Sequence, residues 1–316
     1  MALDEELASA LDIPFPNDID NIPLTRRQLA QLVTDDQGPP RPVPANVQWT
    51  DELIVGDAGR SPVTVRIYRN TSLTKPNGAL LFFHGGAFVF GDLESEHPRC
   101  LHFADRAGCL VVSVDYRLAP EHPYPAAHDD GVTALNWLRR FAEAFHVDSE
   151  RIAIGGASAG GALAGGIALS SRDDEGTWLR AQLLIYPAVD DRTSAASIRQ
   201  YYRHTPWDGE RTEKMWRLYL QGVETVTSYA APARATDLSN LPATYIMTAE
   251  EDPLRDEALS FAERLLAAGV GVEYHHFAST YHGFDVLAPD AALSRRALLE
   301  QSDFLKRELA SAKELR

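Results

Sequence analysis

Four short stretches carry side chains that could act together on an acyl group. In "RIAIGGASAGG", residues 151–161, Ser158 stands within Gly156-Ala157-Ser158-Ala159-Gly160, and every bulky side chain is cleared from around its hydroxyl. An apolar run precedes it and a helix-like one follows. A serine on a sharp strand-to-helix turn takes a strained backbone and needs hydrogen- or methyl-sized neighbours. The turn lifts the hydroxyl off the sheet at the positive N-terminus of the next helix, where developing negative charge is stabilised. By itself the pentapeptide also reads as a Gly/Ala helix packed closely on a sheet, with Ser158 as its N-cap. A phosphate loop fits less well. Ala157 breaks G-x-G-x-x-G, and no Lys-Ser/Thr pair supplies a Walker lysine.

"LLFFHGGAF", residues 80–88, ends another apolar run with glycines. There the backbone N–H groups of Gly85 and Gly86 can point into a cavity and, with that of Ala159, stabilise an oxyanion. His84 reads as a loop brace or core histidine rather than a base, because a better base lies downstream. "YIMTAEEDPLRDEA" sets Asp252 just past a strand, and "EYHHFASTYHGF" sets His282 after the next one. A serine hydroxyl is a poor nucleophile until a neutral imidazole takes its proton, and a carboxylate must fix that imidazole's tautomer. Taken singly, Asp252 is a helix N-cap before Pro253 and His282 a surface loop residue; together with the serine turn they make a Ser-His-Asp relay. Asp115, Asp129, Asp130, Asp190 and Asp256 lack the strand, Asp, helix, strand, His arrangement. His275 and His276 are adjacent in a strand, so one points each way, into packing or solvent roles.

The elements that must position these groups follow from periodicity. Residues 47–70 read as two alternating runs around a glycine turn, a β-hairpin. Short apolar runs follow at 79–83, 109–114, 151–154, 181–186, 243–248 and 271–277, with helical stretches such as 131–145 and 257–269 between several of them, the last closed by Gly269. Buried strands alternating with helices mean a mostly parallel α/β sheet flanked by helices, with ligand sites at the strands' carboxyl ends. Residues 1–45, with a helical stretch around 24–33 and prolines in "GPPRPVPAN" (38–46), are expected to lie on the main body as a cap segment. The body is then 46–316. The Tyr-, Trp- and Arg-rich stretch at about 191–226 looks inserted and would complete the cap. Aromatic residues near the motifs and in that stretch (Phe88, Phe90, Tyr201, Trp207, Trp216) are candidates to line an apolar substrate pocket.

Composition narrows the functional classes. With 316 residues, 45% of them hydrophobic, the chain can bury a large core. A formal charge of −15 makes nucleic acid and anionic membranes poor partners. No apolar run approaches the roughly 18 residues of a membrane span, and the acidic first residues do not match a signal peptide, so the expected location is cytoplasmic. Cys100 and Cys109, the two cysteines, are too few for a disulfide framework and read as reduced, buried thiols. Neither H-E-x-x-H nor a Cys/His ligand spacing is present, so no metal is expected.

The motifs "HGGAF", "VDYRLAPEHPYPAAHDD", "GASAGG", "DPLRDEA" and "YHGF", spread in order over about residues 78–290, resemble those of the bacterial hormone-sensitive-lipase-like (family IV) carboxylesterases of the α/β-hydrolase superfamily. The resemblance implies an α/β-hydrolase fold with a helical cap and hydrolysis of short- to medium-chain carboxylic esters without cofactor or metal. The partner would be a small-molecule ester; a homodimer is also implied. It matches Ser158 to the nucleophile, Asp252 to the acid, His282 to the base, and Gly85, Gly86 and Ala159 to the oxyanion hole. Two residues depart from the pattern: Ala87 replaces a third glycine, which is expected to narrow the acyl pocket, and Ala157 replaces a polar residue. An amidase or peptidase would use the same triad. A non-catalytic binding protein on this scaffold, like the plant gibberellin receptors, would have lost the histidine that is present here.

Overall fold

The apolar runs assemble into one eight-stranded sheet. In a computed structural model describing residues 3–12, 15–34, 43–56, 59–73, 77–174, 179–203 and 206–310, the chain begins with helices α1 (Glu5–Ala10) and α2 (Ile22–Thr34). The hairpin β1 (Val47–Ile54) and β2 (Val63–Asn70) comes next, then β3 (Asn77–Phe83), α3 (His97–Arg106), β4 (Leu110–Asp115), α4 (Ala126–Arg140), β5 (Val147–Ala157) and α5 (Ala159–Asp173). The second half holds β6 (Ala181–Ile185), α6 (Ala196–Gln200), α7 (Gly209–Tyr219), β7 (Ala243–Glu251), α8 (Arg255–Ala267), β8 (Val272–Tyr281), α9 (Phe284–Leu287) and α10 (Ala292–Glu308).

The strand order is β1-β2-β4-β3-β5-β6-β7-β8. The β1/β2 and β2/β4 pairs are antiparallel; the others are parallel. The order reverses at β3, which has β4 on one side and β5 on the other. Such a switch point leaves a crevice at the carboxyl ends of the two strands that diverge from it. Every apolar run seen in the sequence lies on a strand. Both helical stretches are helices too, although α4 begins five residues before the sequence pattern suggests; α8 ends near Gly269, whose φ of +81° suits a helix stop.

Period-two alternation divides the core into two layers. Leu81 and Phe83 join a cluster with Leu135 of α4, Ile167 of α5 and Phe261 of α8, while Leu80 and Phe82 face Phe103 of α3 and Phe304 of α10. All four β3 side chains are fully buried. At about 1.5–3 kcal/mol for each such side chain, β3 is held from both faces and gives its carboxyl end a fixed position.

The N-terminal part packs on the body through Ile19 and Ile22. Arg26 of α2 donates from Nε to the Val89 carbonyl at 2.8 Å and from Nη2 to the Ala119 carbonyl at 2.9 Å, and it pairs with Glu121. Of the proline stretch at 38–46, residues 38–42 lie outside the described residues. The segment at 191–226 contains α6 and α7.

Candidate active site

Sheet register brings the distant motifs together. Phe83 pairs with Gly156, so the loop after β3 leaves beside the turn after β5; Glu251 pairs with Tyr281, so Asp252 and His282 leave side by side. Between β5 and α5, Ser158 has φ 54° and ψ −117°. A non-glycine residue there costs about 1–3 kcal/mol and persists only where its surroundings over-determine it. They do so here. A Cβ on Gly156 would lie 2.2 Å from the Gly160 carbonyl oxygen, and one on Gly160 2.2 Å from that of Phe83. The Ser158 N–H donates to the Ile185 carbonyl at 2.8 Å, and the Ser158 carbonyl accepts from the Ala188 N–H at 3.1 Å. The serine side chain makes no capping bond to α5, so the simple N-cap reading fails.

Its hydroxyl instead meets His282. Ser158 Oγ lies 3.0 Å from His282 Nε2, and His282 Nδ1 lies 2.7 Å from Asp252 Oδ2. A carboxylate can only accept, so Nδ1 carries the proton and Nε2 keeps the lone pair that faces the hydroxyl. Asp252 is fully buried, and its other oxygen accepts from the Leu254 N–H at 2.8 Å. One side chain therefore closes the turn before α8 and orients the imidazole. Tyr186 packs on the imidazole with ring centroids 4.7 Å apart, and Trp207 at 6.3 Å. This is the nucleophile, base and orienter geometry that covalent catalysis requires.

The glycine loop beside it is tightly determined. Gly86 has φ +122°, and a Cβ there would lie 2.3 Å from the Phe90 carbonyl oxygen. Ala87 and Phe88 follow at φ 57° and 60°. His84 braces the loop: its Nδ1–H donates to the Gly85 carbonyl at 2.7 Å, its ring stacks on Tyr116 at 4.2 Å, and its backbone carbonyl accepts from the Tyr116 hydroxyl at 2.9 Å. Among the described residues Nε2 has no partner, and burial pushes the ring down to about 4, so it is neutral. Burial raises the carboxyl of Glu96, against the lowering effect of Arg99, with Asp285 raising it further and the Gly85 amide lowering it. The amide of Ala159 is at the first position of α5, among the helix N–H groups that have no intrahelical acceptor.

A cavity of about 170 Å³ opens on Ser158 and His282, with Gly85, Gly86, Ala87, Phe90 and Trp207 among its walls. Phe88, Tyr201 and Trp216 line no part of it. Phe88 stacks on Tyr219 at 3.8 Å with Trp216 beside it, and Tyr201 lies under the Arg255 guanidinium, 5.7 Å from its ring centre. For these three the expectation of a pocket wall is corrected: Phe88 and Trp216 belong to the hydrophobic core, and Tyr201 packs with Arg255. Phe15, Leu29, Tyr186, Val286 and Leu287 do line the cavity and were not anticipated. Val286 and Leu287 follow His282 closely, the one hint in the sequence to their place. His275 meets Glu300 at 2.9 Å and His276 meets Thr248 at 3.1 Å; Asp130 pairs with Arg117, and Asp190 with Arg192. Cys100 and Cys109 are buried and unbridged.

Residues 80–286 match the family model described as alpha/beta hydrolase fold. Esterase LipI of Mycobacterium tuberculosis is 38% identical over 289 residues, covering 90% of this chain and 88% of that protein. Among solved structures, esterase LipW of Mycobacterium marinum superposes with a TM-score of 0.90 at 39% identity, covering 97% of this chain and 96% of that one. A bacterial heroin esterase does so with a TM-score of 0.93 at 37% identity, covering 98% and 99%. Among the described residues no helix is long and apolar enough to cross a membrane. With the eight-stranded sheet, the serine turn at the switch point and these matches, the chain belongs to the α/β-hydrolase fold family, in its hormone-sensitive-lipase-like esterase branch.

Proposed function

We propose that the protein hydrolyses carboxylic esters through an acyl-enzyme on Ser158. The observation that carries this reading is the relay from Ser158 Oγ to His282 Nε2 (3.0 Å) and from His282 Nδ1 to Asp252 Oδ2 (2.7 Å), opening into a cavity. His282 takes the hydroxyl proton as Ser158 attacks the ester carbonyl, and Asp252 stabilises the imidazolium. The oxyanion receives the N–H groups of Ala159, Gly86 and Ala87. The Gly85 amide also favours the ionised form of the Glu96 carboxyl. The imidazolium then protonates the leaving alcohol, and water repeats the sequence on the acyl-enzyme. A cavity of about 170 Å³ is smaller than the roughly 300–1,000 Å³ of drug-sized sites, which favours short acyl groups.

Residues 1–45 and about 191–226 serve as a cap on a catalytic body of 46–316. In support, Asn17 Nδ2 donates to the Pro206 carbonyl at 2.5 Å, and Phe15 and Trp207 share the cavity wall. The buried, unbridged thiols favour the cytoplasm, and β8, paired on one side only, is the edge available for a homodimer. A p-nitrophenyl ester series from acetate to palmitate tests the reaction on wild type and Ser158→Ala. We expect turnover concentrated on the short esters and lost in the variant. Turnover of anilides but not esters, or equal turnover by both proteins, would overturn the reading.

A further inference from the structure

Beside the serine site lies a buried polar cluster that acyl transfer does not itself employ. Arg99 of α3 donates from Nε to Glu96 Oε2 at 2.6 Å, and from Nη1 to Asp285 Oδ2 at 2.9 Å and Gln301 Oε1 at 3.0 Å. Asp285 of α9 accepts at Oδ1 from the Tyr186 hydroxyl at 2.8 Å. All five side chains belong to residues more than nine-tenths buried. Two carboxyl groups and a guanidinium withdrawn from water are a poor source of stability, since well-packed apolar side chains often replace such groups at no loss. Their arrangement relative to the site gives them another use.

Each arm of the cluster ends on a different part of the site. Glu96 lines the cavity together with Gly85 and Gly86 of the oxyanion loop, and the Gly85 amide favours its ionised form. Tyr186 lies on the turn whose flanks, Ile185 and Ala188, hydrogen-bond the backbone of Ser158 at 2.8 and 3.1 Å, and its ring packs on the His282 imidazole. Asp285 sits three residues past His282, in the helix that ends the histidine loop. We propose that Arg99 is a positioning residue for the reaction: through Glu96 and Asp285 it holds the oxyanion loop, the serine turn and the histidine loop in one register. Tyr186 is the contact that carries this to the base. The imidazole cannot turn away on that side without displacing a ring whose hydroxyl is pinned by Asp285. The inference rests on the serine-hydrolase reading of the site.

Arg99→Ala would strand two buried carboxyl groups and unfold the chain, so the test uses Arg99→Lys, Glu96→Gln, Tyr186→Phe and the Glu96→Gln/Tyr186→Phe double variant. Tyr186→Phe keeps the ring and removes only the hydroxyl. Fluorophosphonate titration counts active sites, steady-state kinetics gives kcat per site and KM, and thermal melting reports folding. We expect each single variant to lose between about tenfold and about 100-fold in kcat per site, the range in which small misplacements act, with KM little changed. The double variant should lose less than the product of the singles, because both act through Arg99. Unchanged kcat per site with only a lower melting temperature would overturn the proposal and leave the cluster purely structural. A wild type that neither takes the label nor cleaves esters would instead overturn the serine-hydrolase reading, and this inference with it.

Discussion

Ser158, His282 and Asp252 illustrate how little is legible in any residue alone: a glycine-flanked serine, a loop histidine and an aspartate before a proline each have an ordinary structural reading. Asp252 is not the N-cap of α8, which is Leu254; one of its oxygens takes the Leu254 N–H in the turn before the helix while the other takes His282. His84 shows the same point from the opposite side. It is fully buried, its Nε2 has no partner among the described residues, and burial holds its ring at about 4 against 6.5 for a free imidazole. The unfolded chain therefore binds a proton there at a pH where the folded one does not, and stability rises with pH in that window. The contribution is complete above pH 6.5 and is lost as pH falls toward 4, by about 3 kcal/mol. Denaturant unfolding at pH 7 and pH 4.5 of wild type and of His84→Asn, which keeps a donor for the Gly85 carbonyl, measures it. The variant should lose a smaller share of its stability on acidification; an identical loss would contradict the assignment.

The strands and the serine turn were readable because each follows a rule that operates along the chain. β3 to β7 carry apolar runs buried on both faces, and Gly156 and Gly160 are required by carbonyl oxygens 2.2 Å from where a Cβ would sit. The pocket walls were not readable by such rules. An aromatic ring at 191–226 has the same sequence signature whether it packs in the core, as Trp216 does on Tyr219, or faces the cavity, as Trp207 does. Nor was the Arg99 cluster, whose partners Asp285 and Gln301 are 186 and 202 residues away. Helix α2, which packs on the core through Ile22 and Leu29, is a further case, because its bond to the glycine loop comes from one side chain. Arg26 joins α2 to the carbonyls of Val89, in the loop that carries Gly86, and of Ala119. Removing it in Arg26→Ala should cost about 1.5 kcal/mol of stability, at the low end for bonds to a charged donor because the side chain is partly exposed. Amide exchange should quicken in residues 22–34 and at Val89. Exchange faster in α2 but unchanged at Val89 would show that the helix does not brace the loop.

At the scale of the whole molecule, the sheet order puts the site where it is. β3 and β5 diverge from the reversal in strand order, the glycine loop and the serine turn leave from their carboxyl ends, and β7 and β8 deliver Asp252 and His282 from one edge of the same sheet. A hydroxyl at residue 158, an imidazole at 282 and a carboxylate at 252 are thereby fixed by the strands of one sheet. The central claim is that this arrangement turns Ser158 into a nucleophile. Its most direct measurement is peptide mass spectrometry after reaction with a fluorophosphonate, timed for wild type, Ser158→Ala and Asp252→Asn. The account predicts one adduct on the peptide bearing Ser158, none in the serine variant, and ester turnover lower by about 10⁴-fold in Asp252→Asn, whose imidazole would present the wrong tautomer. An adduct on another residue, or ester hydrolysis that survives Ser158→Ala, would contradict it.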